Sequence, residues 1–155
     1  MERNGKQEPR QFLRAIDSVT IAVPDLDDGL RFYRDQLQHE LLWRNDAIGQ
    51  AGLRLPEDGT ELVLSTTHGS AVNWLVASVS EAIDRMVAAG GTVLSEPVDI
   101  PVGRVAVVGD PFGNPLILLD LSHGRYVTDS AGHVVAVAPE VEDREESVDD
   151  DRTPP

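Results

Sequence analysis

The sequence predicts an α+β fold built from two copies of a βαβββ unit. Two segments with helical spacing of apolar residues begin near Leu26 and Val79, and each has one strand candidate before it and three after it. In the segment Arg104–Leu121, moreover, two strand-like runs flank an Asp-Pro-Phe-Gly-Asn turn, which predicts a hairpin of an antiparallel sheet. The same order of elements in both halves indicates a duplicated unit.

The first unit opens with an alternating strand. Ser18, Thr20 and Ala22 share one face of it, and β-branched residues occupy the other. A helix is predicted next, over Leu26–Leu37, with Asp25 or Asp27 as its N-cap. The apolar face of this helix and the strands that follow it are predicted from spacing: Leu26, Leu30, Tyr33 and Leu37 for the face, and Glu40–Arg44, Gln50–Leu55 and Thr60–Ser65 for the strands.

The second unit repeats this design. Its helix begins after Ser78 or Ser80 as N-cap and ends at Gly90-Gly91. Its predicted apolar face and strands are Val79, Ile83, Met86 and Val87 for the face, and Val93–Glu96, Arg104–Val108 and Leu116–Leu121 for the strands. Residues 123–138 then predict an appended β-hairpin, which would cover a sheet edge or form a dimer contact.

Composition limits the classes of protein. No apolar run is long enough to cross a membrane, no N-terminal signal segment is visible, and the chain has no cysteine. A soluble, cytoplasmic protein is expected. The net charge is −14, and residues 140–152 contribute eight acidic residues against two arginines. Residues 1–13 are expected to be flexible and 139–155 to be a disordered, solubilising tail. The acidic balance argues against nucleic-acid binding.

Three segments carry a resemblance to a known family. Ile16–Leu37, Val79–Thr92 and Arg104–Leu121 resemble parts of the vicinal oxygen chelate superfamily, which includes glyoxalases, bleomycin-resistance proteins and extradiol dioxygenases. The resemblance covers residues 14–122, as modules 14–66 and 71–122. It implies a curled mixed sheet whose two halves form a ligand cleft, and it implies a homodimer.

The resemblance also implies a divalent metal held by His and Glu side chains on four strands. In this chain the four ligand positions fall on Ser18, Val63, Ala71 or Asn73, and Ile117, none of which is a competent ligand. Glu61 and Ser65 are the same-face neighbours of Val63 if the register differs. The four histidines, His39, His68, His123 and His133, are predicted to lie in loops or turns. We therefore expect no metal and no other cofactor.

The residues on the predicted cleft face describe an apolar pocket with scattered hydroxyl and amide groups, as in sites for organic ligands. Small residues on this face are also compatible with two halves that pack closely and leave no cavity. For Trp43, stacking on a planar ligand and core packing are equally compatible with the sequence. The candidate ligand-binding residues are Ser18, Thr20, Trp43, Glu61, Val63, Ser65, Asn73, Leu75 and Ile117.

Three functions remain open. The lost ligand positions favour a metal-free protein that binds a small hydrophobic or aromatic molecule, as an antibiotic- or metabolite-sequestering protein of the bleomycin-resistance kind would. The alternative is a lyase, isomerase or dioxygenase that uses a non-standard metal site or acid-base chemistry from Glu61. A second alternative is a non-catalytic dimerisation module.

Overall fold

The computed structural model describes residues 11–139. In this range the chain forms an eight-stranded mixed sheet, a separate two-stranded hairpin and two helical segments. The strands are β1 (Ala15–Ala22), β2 (Leu41–Asn45), β3 (Gln50–Arg54), β4 (Glu61–Ser65), β5 (Ala71–Leu75), β6 (Thr92–Ile100), β7 (Gly103–Gly109), β8 (Pro115–Asp120), β9 (Arg125–Thr128) and β10 (Val134–Ala138). The helices are α1 (Leu26–Leu30), continued by π-helix over Arg31–Gln36, and α2 (Val79–Ala88). The predicted α+β fold of two βαβββ units is confirmed.

The sheet order is β2-β3-β4-β1-β5-β8-β7-β6. Each unit supplies four adjacent strands, and in each the opening strand runs parallel to the last one, β1 to β4 and β5 to β8. The two opening strands, β1 and β5, pair antiparallel at the centre. The two units are therefore joined through a single strand pair, and β2 and β6 form the two edges of the sheet.

Each unit has its own hydrophobic core under its own helix. In the first unit, Leu26 and Leu30 of α1 pack on buried residues of β3 and β4. In the second, Val79, Ala82 and Met86 of α2 pack on residues of β7 and β8. Because side chains alternate across a strand, the residues between these core positions point to the opposite face of the sheet. That face is left for the cleft.

The first helix departs from the predicted spacing after its second turn. Leu26 and Leu30 are buried, whereas Leu37 is 50% exposed. The backbone of Arg31–Gln36 is π-helical, so a turn there contains more residues than an α-helical turn and the apolar face shifts. The predicted caps are seen: Asp25 accepts a hydrogen bond from the Asp28 amide at 2.7 Å, and Ser78 accepts one from the Glu81 amide at 3.3 Å.

The appended hairpin forms as β9 and β10, which pair antiparallel. It lies against the edge strand β2, where the Arg44 amide donates to the carbonyl oxygen of Gly132 at 2.8 Å and Arg44 forms a β-bridge with His133. The sequence predicts that the hairpin covers a sheet edge or forms a dimer contact. The structure shows that it covers the edge strand β2.

The ends of the chain are described only in part. Phe12 and Leu13 belong to the segment expected to be flexible, yet they pack against the core of the second unit, and the guanidinium of Arg85 lies 5.5 Å from the centre of the Phe12 ring. Residues 1–10 and the acidic tail from residue 140 lie outside the described residues. No helix within residues 11–139 is long and apolar enough to span a bilayer.

Asp120 is a buried carboxylate that joins β8 to α2. Its oxygens accept hydrogen bonds from the amides of Val79 at 2.8 Å, Arg104 at 3.0 Å and Ser122 at 3.2 Å. Burial by itself would raise the pKa of Asp120, but these donors outweigh burial and hold the pKa below its usual value. Since Val79 is the first residue of α2, the carboxylate also lies at the positive end of the helix. It is a structural residue that faces away from the cleft.

We predict that Asp120→Asn lowers the free energy of unfolding by about 2 kcal/mol at neutral pH, because the charged acceptor of three amide hydrogen bonds is lost. A depressed pKa contributes stability above the unfolded value of 3.8, and this contribution is lost as the pH falls through the folded pKa. The difference from the unaltered protein should therefore shrink in acid. Urea unfolding at pH 7 and pH 3 measures it. Asp84→Asn, at an exposed position of α2, is the control, and an equal effect of both variants contradicts the assignment.

Candidate functional site

A cleft of about 750 Å³ lies on the face of the sheet opposite the helices. Both units line it: β1 to β4 contribute residues of the first unit, and β5, β7 and β8 contribute residues of the second, together with the loop at His68 and the β6–β7 turn at Pro101. The lining is mainly apolar, with valine, isoleucine and leucine side chains from the second unit.

A row of four residues in direct register crosses the centre of the sheet. Glu61 on β4 pairs with Ser18 on β1, Ser18 with Asn73 on β5, and Asn73 with Ile117 on β8. All four line the cleft. Glu61, Ser18 and Asn73 are polar, whereas Ile117 is apolar. The cleft wall therefore changes from polar to apolar along this row.

Asn73 connects the two units within this row. Its Nδ2 group donates to the Oγ of Ser18 at 3.0 Å and to the Oγ1 of Thr20 at 2.9 Å. Ser18 and Thr20 are 4% and 6% exposed, so these bonds satisfy hydroxyl groups that water reaches poorly. The polar side chains predicted for ligand contact therefore also stabilise the joint between β1 and β5.

Glu61 is the first of two carboxyl groups on the cleft wall. Its Oε2 accepts a hydrogen bond from the indole Nε1 of Trp43 at 3.0 Å. Burial raises the pKa of Glu61, the negative charge of Asp17 raises it further, and the Trp43 bond and the positive charge of Arg125 offset part of the shift. A carboxyl group with these neighbours holds its proton to higher pH than a free glutamate.

Asp17 is the second carboxyl group, and the sequence analysis missed it. Burial raises its pKa, while a hydrogen bond with Ser18 and the charge of Arg125 oppose the rise. Strict alternation would turn Asp17 away from the face of Ser18, but the pairing of β1 with β5 shifts register between Ile16 and Ser18. Asp17 is the extra residue of this bulge, and a bulge re-aims a side chain. An acidic residue in a strand whose other polar residues, Ser18 and Thr20, are uncharged was the one available signal.

Trp43 combines the two roles that the sequence left open. It is 8% exposed and lines the cleft. Its ring contacts Tyr126 of the hairpin, with ring centres 4.8 Å apart and planes at 49°, and it lies so close to the backbone of Gly52 that a Cβ there would overlap the indole. Burial and the charge of Glu61 raise the pKa of Tyr126, against a hydrogen bond with Asn45. Trp43 is thus a packed wall residue that orients Glu61.

The structure brings most of the candidate ligand-binding residues to one cavity and leaves two outside it. Ser65 is 1% exposed, and its Oγ accepts hydrogen bonds from the amides of Thr67 and His68 at 3.2 and 3.1 Å. It therefore fixes the loop after β4 and does not line the cavity. Leu75, the last residue of β5, is likewise not a lining residue. Those that do line it are Ser18, Thr20, Trp43, Glu61, Val63, Asn73 and Ile117.

Besides Asp17, several lining residues that sequence reasoning did not find lie outside the strands of the eight-stranded sheet. The hairpin contributes Arg125, Tyr126 and Thr128, and the β6–β7 turn contributes Pro101 and Val102. Their approach to the cleft depends on contacts between segments far apart in sequence, for which a local pattern gives no signal.

The side chains at the four implied metal positions do not fit a divalent ion. Ser18 and Asn73 are hydrogen-bonded to each other, and valine, alanine and isoleucine have no donor atom. Within residues 11–139 no group of three His, Asp or Glu side chains is placed to hold a metal. His39 and His123 contact backbone carbonyl oxygens at 3.0 and 3.2 Å instead.

Solved structures with this architecture include several methylmalonyl-CoA epimerases. The Mycobacterium tuberculosis enzyme is 21% identical with a TM-score of 0.57, and the match covers 74% of this chain and 92% of that chain. A Streptomyces coelicolor enzyme, solved with 2-nitronate-propionyl-CoA, is 26% identical with a TM-score of 0.53, covering 70% and 97%. A hypothetical protein of Bacillus halodurans is 23% identical with a TM-score of 0.54, covering 68% and 93%.

The search of curated proteins found no match. A family model, however, matches residues 15–118, from the first residue of β1 into β8. This range contains both βαβββ units and the four-residue row across the cleft. The chain belongs to the Glyoxalase/Bleomycin resistance protein/Dioxygenase superfamily.

Proposed function

We propose that this protein binds a small organic molecule with an apolar or aromatic body in the cleft between its two units, without a metal at the family's ligand positions. The observation that carries the proposal is the cavity of about 750 Å³, because pockets for small molecules have volumes of about 300–1,000 Å³. Such pockets combine apolar walls with a few convergent polar groups. Asp17, Glu61 and Arg125 are the charged groups on this wall.

The biological role that this site supports is sequestration of an antibiotic or metabolite in the cytoplasm. We further propose that the protein is a homodimer. Native mass spectrometry measures the subunit number, and a monomer at micromolar concentration contradicts the dimer without affecting the binding proposal.

A second candidate function is isomerisation by proton transfer. It is favoured by Asp17 and Glu61, two carboxyl groups on one wall whose pKa values burial raises, since a general base works best with a pKa near the operating pH. The Streptomyces coelicolor epimerase is an isomerase of similar fold. In such a reaction one carboxylate would remove a proton from a carbon next to a carbonyl group, and the other, protonated, would return one.

Filling the cleft should abolish binding. Ala71 lines it, so the side chain of Ala71→Phe would occupy ligand volume. We expect the affinity for N-phenyl-1-naphthylamine, a neutral aromatic fluorophore, to fall at least about tenfold, equivalent to about 1.4 kcal/mol. Titration followed by probe fluorescence measures it.

The matched control for this titration is Val72→Phe, since Val72 is the next residue of β5 and is 39% exposed. Equal binding by both variants and the unaltered protein would mean that the probe binds outside the cleft. Metal analysis of the same sample is the second control. A divalent ion at one per chain whose removal abolishes binding would contradict the metal-free site.

Glu61→Gln should become more stabilising, relative to the unaltered protein, as the pH rises. A carboxyl group whose pKa is raised on folding contributes its full stability below the unfolded value, 4.5 for glutamate, and loses it as the pH rises through the folded pKa. Glutamine does not ionise and keeps an acceptor for Trp43. Thermal unfolding from pH 4 to pH 8 measures the trend, with Glu57→Gln at an exposed loop position as control. A constant difference across this range contradicts the buried carboxyl group.

The isomerase candidate predicts deuterium incorporation. Methylmalonyl-CoA incubated with the protein in heavy water should gain one deuterium, and both Glu61→Gln and Asp17→Asn should abolish the gain while Glu57→Gln does not. Mass spectrometry of the thioester measures it. If the unaltered protein causes no incorporation above the buffer rate, this substrate is excluded and the binding function stands alone.

A further inference from the structure

The C-terminal hairpin lies outside the range that the family model matches and yet forms part of the cleft wall. The family model ends at residue 118, whereas β9 and β10 span Arg125–Ala138. Arg125, Tyr126 and Thr128 nevertheless line the cavity. This part of the site therefore lies beyond the match that shows the family.

The hairpin is anchored on both units. At its start, the amides of His123 and Gly124 donate to the carbonyl oxygen of Val102 at 3.0 and 3.2 Å, and Val102 belongs to the β6–β7 turn of the second unit. At its own turn, Gly132 accepts from the Arg44 amide on β2. Since β2 and β6 are the two edges of the eight-stranded sheet, the hairpin crosses the cleft from one edge toward the other.

Gly124 lies where the two strands of the hairpin pass close to each other. Gly124 has φ of +124°, and a Cβ there would overlap the carbonyl group of Ala138. The backbones at the start of β9 and the end of β10 therefore pass in close contact, which only glycine permits in this conformation. The hairpin leaves the second unit in one defined direction.

Two side chains of β9 at the cavity are an aromatic ring, Tyr126, and a cation, Arg125. Tyr126 packs on Trp43, the residue that binds Glu61, and Arg125 acts electrostatically on both Asp17 and Glu61. Val127, between Tyr126 and Thr128, is 41% exposed and is not a lining residue. Strand alternation puts Tyr126 and Thr128 on the cleft face of β9, and the exposed Arg125, the first residue of the strand, lines the cavity from the other face.

We propose that the hairpin determines which ligands the cleft accepts, with Tyr126 selecting flat aromatic bodies and Arg125 selecting uncharged over cationic ones. This inference rests on the proposed binding function. Tyr126 closes the wall above Trp43, so its ring limits the thickness of a bound molecule. The positive charge of Arg125 offsets negative charge on the wall of Asp17 and Glu61, and without it the wall would attract cations.

Two probes of different charge test the proposal on the full chain: the neutral N-phenyl-1-naphthylamine and the cationic planar dye thioflavin T. Tyr126→Ala should weaken binding of the neutral probe by about tenfold, as truncation of an aromatic wall residue does. Tyr126→Phe keeps the ring and should weaken binding of the neutral probe less than Tyr126→Ala does. Arg125→Gln should raise the affinity for thioflavin T relative to the affinity for the neutral probe.

Val127→Ala is the matched control on the solvent face of the same strand, and it should change neither affinity. Circular dichroism verifies that each variant is folded. If Tyr126→Ala does not fold, Tyr126→Phe and Arg125→Gln test the proposal in its place. One outcome is that the unaltered protein binds a probe and that the Tyr126 and Arg125 variants all bind it with the same affinity as Val127→Ala. That result overturns the selecting role of the hairpin and leaves the binding function standing. If the unaltered protein binds neither probe, the binding function fails and this inference fails with it.

Discussion

The antiparallel pairing of β1 with β5 is the contact on which the rest of the structure depends. It is the one strand pair between the two units, and each unit keeps a separate hydrophobic core. Without this pair the chain would be two half-sheets with exposed edges. The Asn73 amide, bonded to Ser18 and Thr20 across the pair, places the polar part of the cleft on the joint itself. The contact that joins the two units therefore also determines the geometry of the cleft.

The charged wall of the cleft is assembled from three distant parts of the chain. Asp17 comes from β1, Glu61 from β4 and Arg125 from β9. Burial destabilises each carboxyl group as an anion, the charge of Asp17 further destabilises the anion of Glu61, and the charge of Arg125 counteracts these effects. The protonation of this wall therefore depends on the docked hairpin as well as on the sheet. A group of this kind responds to a ligand's charge more strongly than an exposed carboxylate would.

Local sequence patterns correctly predicted the features that depend on neighbouring residues, namely strand faces and helix caps. Alternation placed Ser18, Thr20, Asn73 and Ile117 on one face because the register of buried strands is fixed by their apolar side, and the helix caps followed from residue type. The bulge that turns Asp17 into the cleft has no sequence signal, since it reflects the joint with β5. Ser65 was misplaced because its hydroxyl binds the next loop. Tyr126 reached the site through packing of a separate hairpin, which a linear pattern does not encode.

The bare backbone of Gly52 under the Trp43 indole gives residue 52 control over the depth of the cavity. The strand β3 contributes little to the lining, yet any side chain at this position would push the indole toward the ligand space. The displaced indole would reduce the depth of the cavity. It would also move Glu61, because the two side chains are hydrogen-bonded. In this chain, therefore, a single methyl group at position 52, behind the wall, would change the size of the site while every ligand-contacting residue is retained.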